Sequence, residues 1–203
     1  MQEHPNILKH FGNVDVNLGG TKQFRTIWTE VCLGNLRSLF STDAFKAQSQ
    51  GQMIATCWDI LRQILGGLKA CHNNLPPIIH RDIKLTNSTK SPIYLCAKSK
   101  IVMYSIALLP DGKPTYLFKI GDFGMARIFL PEQDITPVPS APDSSHQHAM
   151  LSTNNIGLDA DLPGVGYIMG QMERRLGFPH PDNGLRKLMF QLQQMECTIV
   201  NFF

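Results

Sequence analysis

Two stretches decide the reading: Ile78-Ile79-His80-Arg81-Asp82-Ile83-Lys84-Leu85-Thr86-Asn87, and Lys119-Ile120-Gly121-Asp122-Phe123-Gly124. The first contains H-R-D-x-K-x-x-N and the second ends in D-F-G. Together they offer two carboxylates (Asp82, Asp122), an ammonium (Lys84) and an amide (Asn87). That is the inventory phosphoryl transfer requires, because the reaction depends on positioning and charge neutralisation more than on covalent chemistry. A carboxylate must orient the attacking hydroxyl and take its proton. An ammonium must sit on the moving phosphoryl oxygens, and hard oxygen ligands must hold Mg²⁺.

The surrounding chain reads as a globular protein. Of its 203 residues, 43% are hydrophobic and 17% charged, which argues against wholesale disorder. Nineteen basic residues against sixteen acidic ones leave a net charge of +3, too small for a nucleic-acid or membrane-surface footprint. No run of apolar residues is long enough to span a membrane, and the N-terminus does not read as a signal peptide. Five cysteines, at 32, 57, 71, 96 and 197, form no C-x-x-C and read as reduced thiols of a cytoplasmic protein.

Working outward, Ile7–Phe11 and Phe24–Val31 read as strands and Leu36–Phe45 as a short helix. The clearest helix is predicted from Gln52 to Cys71. Ile54, Cys57, Leu61, Ile64, Leu65 and Leu68 recur there at three- and four-residue steps. Gly66-Gly67 weakens that helix, so packing must hold it, and Asn73-Asn74 with Pro76-Pro77 stop it. Ile101–Leu109 and Thr115–Ile120 read as a hairpin around the turn residues Pro110 to Pro114. Residues 131–155 are rich in Pro, Ser, Asp, Gln and His and read as a long exposed loop. Helical character resumes over Gly166–Met172 and Leu185–Met195. Gly164, Gly166 and Gly170 lack the spacing of a dinucleotide loop, and His146 with His148 have no third ligand beside them.

On these residues the chain resembles the eukaryotic protein kinase family, of serine/threonine type. His4-Pro5-Asn6-Ile7-Leu8 is similar to the segment leading into the fourth strand of the family's N-lobe. Trp28-Thr29-Glu30-Val31-Cys32 is similar to the fifth strand and hinge. Leu61 to Asn87 resembles the long C-lobe helix and catalytic loop as one block, and Asp161-Leu162-Pro163-Gly164-Val165-Gly166 resembles the start of the central C-lobe helix. The matching blocks cover about half the chain.

The resemblance implies an α+β fold with partial N-lobe strands and a mostly helical C-lobe. Residues 1–35 would be the N-lobe remnant and hinge, and 36–203 the C-lobe. A β-hairpin insertion would lie at about 88–118 and an activation-segment-like loop at about 122–155. It also implies ATP and Mg²⁺ as cofactors and a protein substrate with a Ser or Thr acceptor. Asp82 would be the catalytic base and Lys84 the contact to the γ-phosphate. Asn87 and Asp122 would hold Mg²⁺. Glu30 and Cys32 would offer backbone groups to adenine, with Thr29 as gatekeeper. Arg81 would pair with a phosphate on the loop, where Thr136, Ser140, Ser144, Ser145, Ser152 and Thr153 are candidate acceptors.

The pattern is incomplete. Only Met1-Gln2-Glu3 precede the H-P-N-I segment, so the family's glycine-rich loop, its ATP-contacting lysine and the glutamate of its N-lobe helix have no counterpart in these residues. The chain is therefore expected to be a kinase fragment of weak or no activity, or alternatively a pseudokinase that serves as a protein-interaction module. No A-P-E is visible between Gly124 and Asp161. The 34 residues between Asn87 and Asp122 exceed the family's usual number. Within the family, the H-P-N-I-L segment with Gln23-Phe24-Arg25 and Glu30-Val31-Cys32-Leu33 is similar to stress-sensing kinase–endoribonucleases, whose membrane span and nuclease domain are not seen here.

Overall fold

The computed structural model describes residues 3–17, 23–84, 102–130 and 158–176. Its elements, in chain order, begin with strands β1 (His10–Asn17), β2 (Gln23–Thr29) and β3 (Gly34–Asn35). Helices α1 (Leu36–Leu39), α2 (Asp43–Lys46) and α3 (Gln50–His72) follow. Then come β4 (Ile78–Ile79), β5 (Val102–Leu108), β6 (Pro114–Ile120), a 3₁₀ turn at Phe123–Met125 and β7 (Arg127–Ile128). A second 3₁₀ turn, Leu158–Asp161, opens into α4 (Leu162–Leu176).

The long helix starts two residues earlier than its periodicity predicts, and its cap explains why. Ser49 accepts from the Gln52 backbone N–H at 3.3 Å, and Gln52 Oε1 accepts from the Ser49 N–H at 2.8 Å. Its buried face carries Cys57, Ile60, Leu61, Ile64, Leu65, Leu68 and Cys71. Against that face pack Phe118 and Ile120 of β6, Val102 and Tyr104 of β5, and Leu162, Val165, Ile168, Met169 and Met172 of α4. The helix expected over Leu36–Phe45 is instead two single turns. Thr42 separates them: its Oγ1 donates to Leu39 O at 2.7 Å and accepts from Phe45 N–H at 3.2 Å, ending one turn and capping the next.

The hairpin read around Pro110–Pro114 is β5–β6, antiparallel, with Val102 opposite Ile120 and Tyr104 opposite Phe118. Gly112 supplies the left-handed residue of the turn at φ +77°. Since Phe118 and Ile120 are buried, β6 is a core strand. Residues 88–101 lie outside the described residues. The first strand is also displaced from expectation. It runs His10–Asn17 because Val14 and Val16 alternate with Asn13, Asp15 and Asn17 beyond a bulge at Phe11-Gly12, where Gly12 takes φ +156°. Ile7 contributes only an isolated parallel bridge to Ile120.

β1 and β2 form a separate two-stranded ribbon, and much of it is exposed, including Phe11, Val14, Ile27 and Trp28. The chain then descends through Glu30–Leu33 onto β5, where Leu33 N–H donates to Tyr104 O at 2.9 Å. These parts make an α+β fold in which a strand ribbon leads into a larger, helix-centred body. No described helix is long and apolar enough to cross a membrane.

Candidate active site

Everything at the site is built around one buried carboxylate. Asp161, at the start of α4, accepts from His80 N–H at 2.9 Å (Oδ2), from Arg81 N–H at 2.7 Å (Oδ1) and from the His72 ring at 2.9 Å (Oδ2). Burial alone would raise its pKa. The His72 bond, the nearby His80 and the His80 backbone N–H outweigh burial, holding the carboxyl below its ordinary range. The loop it grips is strained: Arg81 sits at φ +66°. Underneath, Gly164 of α4 leaves room for that loop, since a Cβ there would lie 2.3 Å from Ile83 O. This is why a glycine stands at position 164 of α4.

His80 joins the two diagnostic stretches. Its Nε2 lies 2.9 Å from Gly121 O, and its ring packs against Phe123 with centroids 4.8 Å apart. Because a carbonyl can only accept, Nε2 carries the proton, and Nδ1 then accepts from Asp82 N–H at 3.3 Å. A second seam is β4–β7, where Ile79 pairs with Arg127 and Ile78 with Ile128. H-R-D and D-F-G are thus held side by side although some forty residues apart in sequence.

Within this frame, Asp82 is buried and Lys84 half-buried. Lys84 Nζ donates to both Asp82 oxygens, at 2.8 and 2.7 Å. Asp122 takes the left-handed region at φ +60°, and its side chain makes no cap to the 3₁₀ turn that follows. Gly124 leaves space for that carboxylate, since a Cβ there would stand 3.3 Å from Asp122 Oδ1. Arg81 donates from Nε to Met125 O at 2.9 Å, which spends part of its guanidinium on the segment after D-F-G. Asn87 and Thr136 lie outside the described residues.

At the hinge, Thr29 is exposed and its hydroxyl donates to Glu30 O at 3.3 Å. The Glu30 carboxylate accepts from Lys9 N–H at 2.7 Å and pairs with Lys119 Nζ at 2.9 Å. Cys32 is half-buried, and desolvation followed by the Glu30 charge pushes its thiol pKa up, against a smaller pull from Lys119. Beside the hinge opens a cavity of about 730 Å³ that Glu3, His4, Glu30, Lys119 and Phe123 help to line. Burial, and to a lesser extent the Lys119 charge, lower the pKa of His4.

Sequence reasoning missed the supporting residues. Lys119 is nearly buried, and the signal for it was a charge in the apolar run Leu117-Phe118-Lys119-Ile120. His72 had no such signal. Gln63 is the polar residue amid the buried face of α3, and both its amide oxygen and nitrogen are bonded.

The model of the family described as "Protein kinase domain" matches residues 1–199. Cyclin-dependent kinase 4 of Mus musculus is 28% identical over 178 residues, which is 85% of this chain and 48% of that protein. Serine/threonine-protein kinase WNK3 of Mus musculus is 29% identical over 150 residues, 72% of this chain and 7% of that protein. The chain therefore spans about half the length of one curated relative and a small part of the other. Among solved structures, the yeast RNA Pol II CTD kinase CTDK-1 complex matches in fold with a TM-score of 0.53 at 20% identity, covering 94% of this chain and 52% of that one. With the family model spanning nearly the whole sequence, and the H-R-D and D-F-G segments stitched together by His80 and Asp161, the chain belongs to the protein kinase domain family.

Proposed function

We propose that the whole protein transfers the γ-phosphate of ATP to Ser or Thr hydroxyls of proteins, and that the 203-residue chain alone does so weakly or not at all. The observation that carries the reading is the His80 Nε2–Gly121 O bond, which sets the loop of Asp82 and Lys84 against the loop of Asp122. A magnesium–nucleotide suits the residues present. Asp122 offers a hard oxygen ligand free of capping duty, and Gly124 leaves space around it. Bound there, Mg²⁺·ATP would supply the transferable phosphoryl group and screen its charge.

The chain's own residues divide the work. Asp82 orients the acceptor hydroxyl and takes its proton on the carboxylate. Lys84, already within hydrogen-bond distance of Asp82, presents its ammonium to the phosphoryl oxygens. Asp122 and Asn87 would hold the metal. Glu30 and Cys32 offer backbone groups to adenine beside Thr29. The Glu30 side chain is engaged by Lys9 and Lys119, so it fixes the hinge rather than reading the base. Arg81 and Thr136 would form a regulatory pair once the loop is phosphorylated. The low activity proposed for these 203 residues by themselves rests on the absence among them of a match to the family's phosphate-contacting lysine. Losing one preorganised charged contact costs on the order of a hundredfold or more in rate.

The exposed ribbon favours a second reading. Val14 and Trp28 share one of its faces and are 52% and 60% exposed, which suits a regulatory module that binds protein partners without catalysis. Phosphate transfer from labelled ATP to a mixed Ser/Thr peptide pool separates the two. Transfer that disappears in both Asp82→Asn and Asp122→Asn supports a kinase. No transfer, together with no Mg²⁺-dependent nucleotide binding, supports the module.

A further inference from the structure

Strand β6 delivers Asp122, and it is the edge strand in the order β3–β5–β6. Its outward backbone groups belong to Tyr116, Phe118 and Ile120, since the alternate residues face β5. An edge buried against a helix without partners would be costly. Here the Tyr116 carbonyl and both backbone groups of Phe118 and of Ile120 are taken, and none by another strand of the sheet. Gln63 Nε2 donates to Tyr116 O at 3.0 Å, and Gln63 Oε1 accepts from Phe118 N–H at 2.8 Å. Asn6 Nδ2 donates to Phe118 O at 2.9 Å. Asn6 O accepts from Ile120 N–H at 2.9 Å, and Leu8 N–H donates to Ile120 O at 2.8 Å.

The two amides are themselves joined, Asn6 Nδ2 to Gln63 Oε1 at 2.9 Å. Asp59 Oδ2 takes the second Gln63 Nε2 hydrogen at 2.8 Å, which fixes which way the amide faces. Gln63 is therefore a buried side chain with its full set of four hydrogen bonds, presenting a donor and an acceptor as a neighbouring strand's peptide would.

We propose that Gln63 is a positioning residue for Asp122, acting with Asn6 by closing the free edge of β6. The metal-holding role it serves rests on the function proposed above. A one-residue slip along a strand moves the chain by about 3.3 Å, whereas a metal ligand must be placed to about 0.2 Å. β5 fixes β6 from one side only, and Asp122 lies two residues past the last clamped position. The same clamp fastens the N-terminal turn to α3, so the ribbon and the Asp122 loop share one anchor.

The test is residue-resolved amide hydrogen exchange on the full 203-residue chain as wild type, Gln63→Met and Asn6→Asp, with Mg²⁺·ADP titrations of each. In Gln63→Met the informative amide is Ile120, whose own acceptor, Asn6 O, is untouched. In Asn6→Asp it is Phe118, whose acceptor, Gln63 Oε1, is untouched. Each is expected to exchange about five- to tenfold faster, over and above any change at Ile64 and Leu68 of α3. The Mg²⁺-dependent gain in ADP affinity is expected to fall by a similar factor. Exchange at these amides that only tracks α3 overturns the proposal. So does wild-type Mg²⁺·ADP binding that both variants retain in full. If the wild type takes up no Mg²⁺·ADP yet the exchange effect is selective, the nucleotide reading fails and the clamp on β6 stands. Should Gln63→Met not fold, Asn6→Asp at a half-buried position decides.

Discussion

Asp161 shows how one buried charge organises a loop. Three donors converge on it, and its pKa lies below the ordinary 3.8. A carboxyl whose folded pKa is depressed contributes stability that is complete above the unfolded value and is lost as pH falls through the folded one. Wild-type stability is therefore expected to drop as pH goes below about 4. Asp161→Asn is expected to lose about 3 kcal/mol at pH 7 and to show a flatter acid limb, as checked by urea unfolding from pH 2.5 to 7. Equal acid limbs in the two proteins would remove Asp161 from this role. Cysteine behaves in the opposite sense. Burial pushes the Cys57 and Cys71 thiols up to about 12. Unfolded thiols ionise from about pH 8.5 while these keep their protons, so they contribute stability that declines as pH rises above about 9. In a Cys96→Ser/Cys197→Ser background, iodoacetamide at pH 8 is expected to modify half-buried Cys32 at least about tenfold faster than either buried thiol. Mass spectrometry of timed samples reads the difference.

At the scale of elements, the two adjacent glycines of α3 do different things. A Cβ on Gly67 would come 2.7 Å from Asn6 O and 3.0 Å from Ile120 Cδ1, whereas one on Gly66 would meet Asn6 Oδ1 at an ordinary 3.5 Å. Gly66→Ala is expected to be neutral or to stabilise by up to about 1 kcal/mol through helix propensity. Gly67→Ala is expected to destabilise by about 1–3 kcal/mol, because backbone rather than a mobile side chain stands in the way. Thermal unfolding of the pair checks this, and equal effects would contradict it. The periodicity of α3 was legible because Cys57, Leu61, Ile64 and Leu68 all face one core. The close approach at Gly67 was not, since its partner is Asn6, at the far end of the N-terminal turn. Thr42 likewise divides one apparent helix through local capping bonds that hydrophobic spacing does not register.

For the whole molecule, stability resides in the body built on α3, and the ribbon stands apart from it. Ile27 and Trp28, on opposite faces of β2, are 62% and 60% exposed, whereas Phe118 is fully buried. Replacing both ribbon residues by Ser is expected to shift stability by no more than about 0.5 kcal/mol, while Phe118→Ala is expected to cost about 3–5 kcal/mol. Urea denaturation compares them, and a large loss in the ribbon variant would place it in the core. Much of the site was legible because H-R-D-x-K-x-x-N and D-F-G are chemistry-specific residue sets at fixed spacing. The scaffolding that holds them was not, because it links residues remote in sequence and individually unremarkable, such as Gln63 with Phe118 and His72 with Asp161.

The central claim is that Asp82, Lys84 and Asp122 face one magnesium–nucleotide. Its most direct test is a thermal-shift titration of the 203-residue chain with millimolar ATP, with and without Mg²⁺, in wild type and Asp122→Asn. A ligand that binds only the folded state raises its stability by mass action. The expected result is a rise in Tm that needs both ATP and Mg²⁺ in the wild type and loses its Mg²⁺ dependence in Asp122→Asn. No shift in the wild type, or the same Mg²⁺-dependent shift in the variant, would contradict it.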